Sequence, residues 1–333
     1  MKNGMMKALV YEGPRVMNLR EVPVPVPKDD EVLIRVGKAG ICGSELSGYL
    51  GQNSLRKPPL VMGHEFAGTV EAVGPAVTRF APGTLVTANP LVTCGACRHC
   101  RSGAPQLCLE RSLVGAHRPG AFAEYVAVPE RNVYALPPGM TAAQGALVEP
   151  FACGVHLCRL AGMSPGHRVV VYGAGPIGLC IVQAAKVRGV RDLFVVDLNE
   201  RRLEAAAALG AATGTALKEE DAGAFDIAVD AVGARATRHG CVRAVRRGGT
   251  VVWTGLHEAE TELPINDMIR SEIATVGAFG YAAEDFETSL RLLGEGVFDL
   301  LPWTEYAPLA DGAACFETLL TGPGRIAKIM LEV

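Results

Sequence analysis

Residues 169–178 restrict the fold of this chain more than any other stretch. Val169-Val170-Val171-Tyr172 is an unbroken apolar run, Gly173-Ala174-Gly175-Pro176-Ile177-Gly178 follows at once, and IGLCIVQAAKVRG grows out of that loop. A short apolar run suits a strand buried on both faces, and the segment after the glycines reads as a helix. G-x-G-x-x-G alone is a weak signal, but between a buried strand and a helix it becomes specific. The first glycine permits a tight turn. The second lets a pyrophosphate approach the backbone at the positive helix end, and the third lets helix and strand pack closely.

The same alternation continues on both sides. ACGVHLCRLAG reads as a helix, LFVVDLN as a strand, and ERRLEAAAALG as a helix ended by Gly210. FDIAVDAVG, GGTVVWTG and TVGAFG supply further strands. Strand and helix in turn predict an α/β unit with a doubly wound parallel sheet over residues 148–283. The strand after the glycine loop ends at Asp197, nineteen residues past Gly178. An acid there accepts hydrogen bonds from an adenosine ribose and repels a 2′-phosphate, so NAD is expected over NADP. Arg201 and Arg202 are placed to stack on or pair with the adenosine end, although a guanidinium would also suit a 2′-phosphate. Val232, Gly255 and Leu256, which follow the next two strands, are the remaining expected cofactor contacts. The competing reading is a glycine turn in an unrelated α/β protein, with Asp197 as a solvated strand end.

Residues 1–147 read as β-rich. ALVYE, EVLIRVGKAG, GTVEAVG, TLVTANP and AEYVAVPE are short, partly alternating runs separated by Gly and Pro turns, as in a partly closed barrel or sandwich. The tail, 284–333, returns to mixed helix and strand and is expected to pack back on the first domain. Hydrophobic residues at 49 % and charged residues at 20 % suit a compact enzyme and not a disordered chain. A net charge of −3 argues against nucleic acid as an obligate partner, and no block of like charge suggests a membrane anchor. The most apolar stretch, Val169–Ala185, is broken by glycines and Pro176, so it does not read as a membrane span. The first residues show no secretory pattern. A cytoplasmic location is therefore expected, in which ten cysteines stay reduced and closely spaced ones favour metal over disulfides.

Cys94, Cys97, Cys100 and Cys108 place four thiols within fifteen residues of a turn-rich segment. Soft ligands with two-residue gaps suit tetrahedral Zn²⁺, and four protein ligands leave no open position, which defines a structural site. Iron–sulfur ligation competes less well with this spacing. His99, between two of the thiols, is expected to face solvent. A second set is dispersed: Cys42 in AGICGSE, His64 and Glu65 in a G-H-E followed by Gly68, Gly74 and Val77, and Glu149 in an apolar run before Pro150. Singly they read equally well as a core thiol, a buried histidine and a helix-start carboxylate. Together, beside a hydride-carrier site, thiolate, imidazole and carboxylate with one open position make a catalytic zinc arrangement. Cys153, Cys158, Cys180, Cys241 and Cys315 lie in apolar contexts and read as core thiols.

Across its whole length the chain resembles the zinc-containing medium-chain dehydrogenases/reductases, in the branch of polyol (sorbitol-like) and threonine dehydrogenases. The G-H-E motif, the four-cysteine lobe, Glu149-Pro150 and the glycine loop occur in family order. The resemblance implies a GroES-like catalytic domain, a Rossmann domain, two zinc ions per chain and a homodimer or homotetramer. It implies that Cys42 and His64 hold the catalytic zinc, and that Glu65 and Glu149 ligate it directly or through water. Ser44 matches the hydroxyl that accepts the substrate proton. The implied reaction is the reversible oxidation of a secondary alcohol to a ketone, with hydride transfer to NAD and a small-molecule substrate. Two positions depart from the pattern: Ser47 stands where many relatives carry a histidine, and Gly280 where sorbitol-type enzymes often carry an arginine. His117 and Arg118 offer a grip on a carboxylate or phosphate unless both face solvent, which keeps amino-alcohol and sugar-phosphate substrates open. A catalytically silent cofactor-binding protein is the alternative from another class.

Overall fold

The computed structural model describes residues 4–333. The chain divides into two compact units, 1–149 together with Ala282–Val333, and Pro150–Tyr281.

The first unit is organised on the strand Glu31–Gly40, whose Val32, Leu33 and Ile34 are all buried. Three strands pair with it, all antiparallel: Glu65–Val73, Tyr125–Pro129 and, from the end of the chain, Lys328–Glu332. Leu85–Ala88, Val133–Ala135 and Thr304–Pro308 complete a seven-stranded sheet. A separate three-stranded sheet joins Val16–Pro23, Met5–Gly13 and Leu60–Val61. Between them lies a core that includes Leu9, Ile34, Phe66 and Phe122, with the Phe122 and Phe316 rings edge-on at 6.1 Å. Two irregularities in the pairing of Glu31–Gly40 with Glu65–Val73 bend the ladder and set Gly40 opposite Glu65. The strand Lys328–Glu332 enters beside them, with Met330 opposite Gly40. That register brings residues 40, 65 and 328 into one place.

The second unit is a six-stranded sheet, parallel throughout, in the order Ala212–Gly214, Asp192–Val196, Arg168–Tyr172, Phe225–Asp230, Val245–Trp253, Ala274–Gly277. This is a Rossmann sheet, with the chain reversing direction beside its first strand. Val169, Val170 and Val171 are fully buried, as the apolar run implies. Ala212–Gly214 has no apolar pattern of its own. It is a strand only because Asp192–Val196 offers it an edge, which single-segment reading does not detect. Among the described residues no helix is long and apolar enough to cross a membrane.

Candidate metal centre and cofactor cavity

The helix Gly43–Tyr49 starts at Cys42, which is extended (φ −94°, ψ 150°). Glu45 turns its carboxylate back to accept the Cys42 N–H at 3.0 Å, closing the helix start. Its other oxygen accepts the Gly63 N–H at 2.8 Å and faces His64 Nδ1 at 2.8 Å. A carboxylate in that position keeps the imidazole proton on Nδ1 and leaves the Nε2 lone pair for a metal. His64 reaches it because Gly63 adopts φ +102°, and a Cβ there would stand 2.6 Å from the Phe122 amide nitrogen. Burial works against a charge on His64, but the Glu45 carboxylate and the Cys42 sulfur outweigh it and hold the pKa well above its ordinary value, so a metal at Nε2 would take the place of a proton. Burial likewise opposes the Glu45 charge, and His64, Arg56 and the Cys42 N–H bring it below the usual carboxylate range. The pocket is built around negative charge that calls for a cation.

Glu65 lies opposite Gly40, where any Cβ would overlap its carboxylate. Lys328 Nζ donates to both Glu65 oxygens, at 2.8 and 2.6 Å, and to the Ile41 carbonyl at 3.0 Å. Cys42, His64 and Glu65 each offer one donor atom, all within 4.8 Å of one another. A thiolate, an imidazole and a carboxylate fit zinc, and three protein donors leave a fourth position for water or substrate. Glu149 lies in the first turn of the helix Val148–Leu160, half-buried and outside this group of three. Ser44 Oγ–H donates to Cys42 Sγ at 3.4 Å, and its oxygen accepts from Arg56 Nη2 at 3.1 Å. Ser47 Oγ–H donates to the Ser44 carbonyl at 3.0 Å.

Sequence reading missed Glu45, Lys328 and Arg56. Glu45 carried a signal, three residues into a helix that Cys42 opens. Lys328 is a lone charge in the apolar run IAKIML, which is also a signal. Arg56 carried none.

The four lobe cysteines stand between the paired strands Leu91–Val92 and Ser112–Leu113. Their sulfurs are 3.9 Å (Cys94 to Cys100), 3.5 Å (Cys97 to Cys100) and 3.6 Å (Cys108 to Cys94) apart. Disulfide sulfurs sit about 2.05 Å apart. Four sulfurs each about 2.3 Å from a tetrahedral zinc stand about 3.8 Å apart, the spacing seen in the lobe. The Ala96 and Cys97 N–H groups draw the Cys94 thiol down to about 7, so it is easily deprotonated. His99 is not part of the group.

In the second unit Gly173 has φ +109°, and a Cβ on Gly178 would overlap the Gly173 carbonyl. Nothing lies within 4 Å of a Cβ position on Gly175, so the backbone is open there at the start of the helix Pro176–Val187, whose first turn holds Ile177. Asp197 ties the loop down: one oxygen accepts the Ala174 N–H at 2.7 Å, the other the Asn199 N–H at 2.8 Å. A cavity of about 490 Å³ opens beside it, lined by Gly173, Asp197, Arg202, Val232 and others. Arg202 Nε is buried there without a hydrogen-bond partner, as a donor kept for a ligand would be. Gly255 and Leu256 do not line this cavity. Gly255 packs against Gly233, and Leu256 is exposed.

Arg118 and His117 both have partners within their own unit. The Arg118 guanidinium is paired with the buried Glu31 carboxylate, and His117 Nδ1 accepts the Leu113 N–H at 3.1 Å.

Two family descriptions match the chain: an alcohol dehydrogenase GroES-like domain over residues 28–138 and a zinc-binding dehydrogenase over 176–295. It is 35 % identical over 311 residues to the sorbitol dehydrogenase of Bacillus subtilis, covering 88 % of this chain and 87 % of that one. It is 33 % identical over 345 residues to the D-xylulose reductase A of Aspergillus niger, covering 97 % and 96 %. Among solved structures, the acetophenone reductase of Geotrichum candidum in complex with NAD superposes with a TM-score of 0.93 at 28 % identity, covering 100 % of this chain and 98 % of that one.

Proposed function

As a member of the zinc-binding alcohol dehydrogenase family, the chain has a function that can be argued from its own side chains, and we propose that it reversibly oxidises a secondary alcohol of a polyol, sugar alcohol or sugar derivative to a ketone with NAD. The observation that carries this is the trio of half-buried Cys42 with buried His64 and Glu65, three donors within 4.8 Å of one another, in a chain that also holds the glycine loop at Gly173–Gly178. When bound, catalytic zinc supplies Lewis acidity to a hydroxyl oxygen, NAD supplies the hydride acceptor, and a second zinc in the cysteine lobe holds that lobe folded.

The chain's residues do the rest. Glu45 orients His64, and Lys328 holds the Glu65 carboxyl in place. Glu149, one turn into its helix, is the second carboxylate that could replace Glu65. Ser44 accepts the substrate proton, and because Ser47 is tied to the Ser44 carbonyl, the proton leaves through water and not through a side chain at that position. Asp197 and Arg202 receive the adenosine end of NAD, and the carboxylate favours NAD over NADP. The polyol reading is supported by the sorbitol and xylulose relatives. An amino-alcohol or sugar-phosphate substrate has less support, since Arg118 is committed to Glu31. A silent binding protein would have no use for a thiol, an imidazole and a carboxyl converging within 4.8 Å.

The chain is proposed to assemble as a homodimer or homotetramer. Support comes from the free edge of Ala274–Gly277 and from Ile265 and Ile269, 54 % and 67 % exposed near it in sequence. The test of the reaction is twofold: zinc per chain, expected to be two, and initial rates with NAD over polyols, threonine and sugar phosphates. Cys42→Ala should abolish turnover while NAD still binds; retained turnover would refute the assignment.

A further inference from the structure

The sheet of the second unit reverses beside Arg168–Tyr172, which divides it into two halves, each suited to one nucleotide of a dinucleotide. Asp197 and Arg202 stand on the first half. On the second, loops follow the strands Phe225–Asp230 and Val245–Trp253 at the ends where such sheets bind ligands, and these loops carry Val232 and Gly255. Their backbones touch: a Cβ on Gly255 would overlap the Gly233 nitrogen. Asp230, fully buried, accepts the Val232 and Gly233 N–H groups on Oδ1 at 3.0 and 2.8 Å, which fixes the first loop. The second loop leans on the first. Its Thr254 and Gly255 N–H groups donate to the Asp230 carbonyl at 3.1 and 2.9 Å, and its Glu258 N–H donates to the Gly233 carbonyl at 2.8 Å. Further along it meets Arg238, which rises from the helix Arg235–Ala244 with a side chain only 15 % exposed. Arg238 Nη2 donates to the Glu258 carbonyl at 2.7 Å and Nη1 to Thr261 Oγ1 at 2.6 Å. Its Nε stands 3.7 Å from Asp230 Oδ2, an oxygen with no hydrogen-bond partner among the described residues.

We propose that Arg238 is a positioning residue for the nicotinamide end of NAD, locking the loop 254–261 against the loop 231–233 before the cofactor arrives. A guanidinium carries five N–H donors in one rigid plane. A single arginine can therefore serve two acceptors on one loop while its charge faces the carboxyl that organises the other. No residue of 254–261 lines the cavity beside Asp197, so Arg238 acts on the nicotinamide end and leaves the adenosine end alone. Were the second loop free to swing away, only molecules with the loop in place would bind, and affinity would fall by that fraction. The inference rests on the reading of this chain as an NAD-dependent dehydrogenase.

Titration calorimetry of the zinc-loaded protein with NADH, and with AMP, which lacks the nicotinamide end, tests this. Arg238→Met should weaken NADH about tenfold, as if the cradle stood ready in roughly a tenth of the molecules, and leave AMP within about twofold of the parent. Thr261→Val removes one contact of the second loop without touching Asp230. It should weaken NADH less than Arg238→Met does and add nothing in the Arg238→Met background, because the group it acts through is gone. Should Arg238→Met not accumulate as folded protein, Thr261→Val carries the same comparison, with NADH weakened and AMP unchanged. Equal weakening of NADH and AMP would mark a merely structural arginine and overturn the proposal, as would unchanged NADH binding. A parent that binds neither NADH nor AMP would instead overturn the cofactor reading itself, so the two failures are told apart.

Discussion

Replacing Lys328 by methionine tests a fully buried ion pair in the first unit. Lys328 and Glu65 are each 1 % exposed, and the ammonium reaches both carboxylate oxygens, at 2.6 and 2.8 Å, as well as the Ile41 carbonyl. At an effective dielectric of about 20, two charges so close attract by roughly 6 kcal/mol, much of which offsets the cost of taking both from water. The pair is worth little against two apolar residues. Breaking it from one side is another matter, because Glu65 is then a buried carboxylate with no counter-charge. Such a loss costs about 3–5 kcal/mol. For a unit of this size, about 2–4 °C per kcal/mol gives a fall in thermal midpoint of roughly 6–20 °C. The assay is thermal unfolding of chelator-treated protein. The decisive arm is Glu65→Gln combined with Lys328→Met: removing the orphaned charge should recover most of the loss. Zinc should also rescue Lys328→Met more than it stabilises the parent, since Glu65 then has only the metal to pair with. A single variant that loses less than about 1 kcal/mol, or a double variant no more stable than the single, would refute the argument.

Three further outcomes follow from the geometry. Glu45→Gln keeps the shape but not the charge behind His64, and should weaken binding at the catalytic site about 10- to 100-fold in zinc competition, leaving the lobe ion in place. Asp197→Ala should lower the ratio of efficiencies with NAD and NADP; because Asp197 also holds the Ala174 and Asn199 N–H groups, both cofactors should bind more weakly, and an unchanged ratio would remove Asp197 as the ribose contact. Burial resists ionisation of Glu31, but the Lys28 N–H and the Arg118 guanidinium outweigh it and hold its pKa below the ordinary value. A depressed folded pKa means that its stabilising contribution is complete above the unfolded value of about 4.3 and is lost as pH falls through the folded value. Denaturant unfolding at a series of pH values should show that loss in the parent and a flatter acid limb in Glu31→Gln.

What could be read directly from the order of residues was whatever is local in the chain. The four-cysteine cluster was legible because its sulfurs lie within fifteen residues, and the glycine loop because strand, glycines and helix are contiguous. Cys42 and His64 were legible as donor types, and the alternation of strand and helix was enough to predict the parallel sheet. The partners of those donors were not legible. Lys328 meets Glu65 across 263 residues of chain, because the last strand happens to enter the sheet beside Gly40. Arg118 looked free until the fold placed it on Glu31. Arg56 gave no sign at all, since an arginine in a loop is ordinarily solvated. A side chain's chemistry belongs to its own residue, whereas its charge state, its partner and its exposure depend on what packs against it, and packing is decided by tertiary structure.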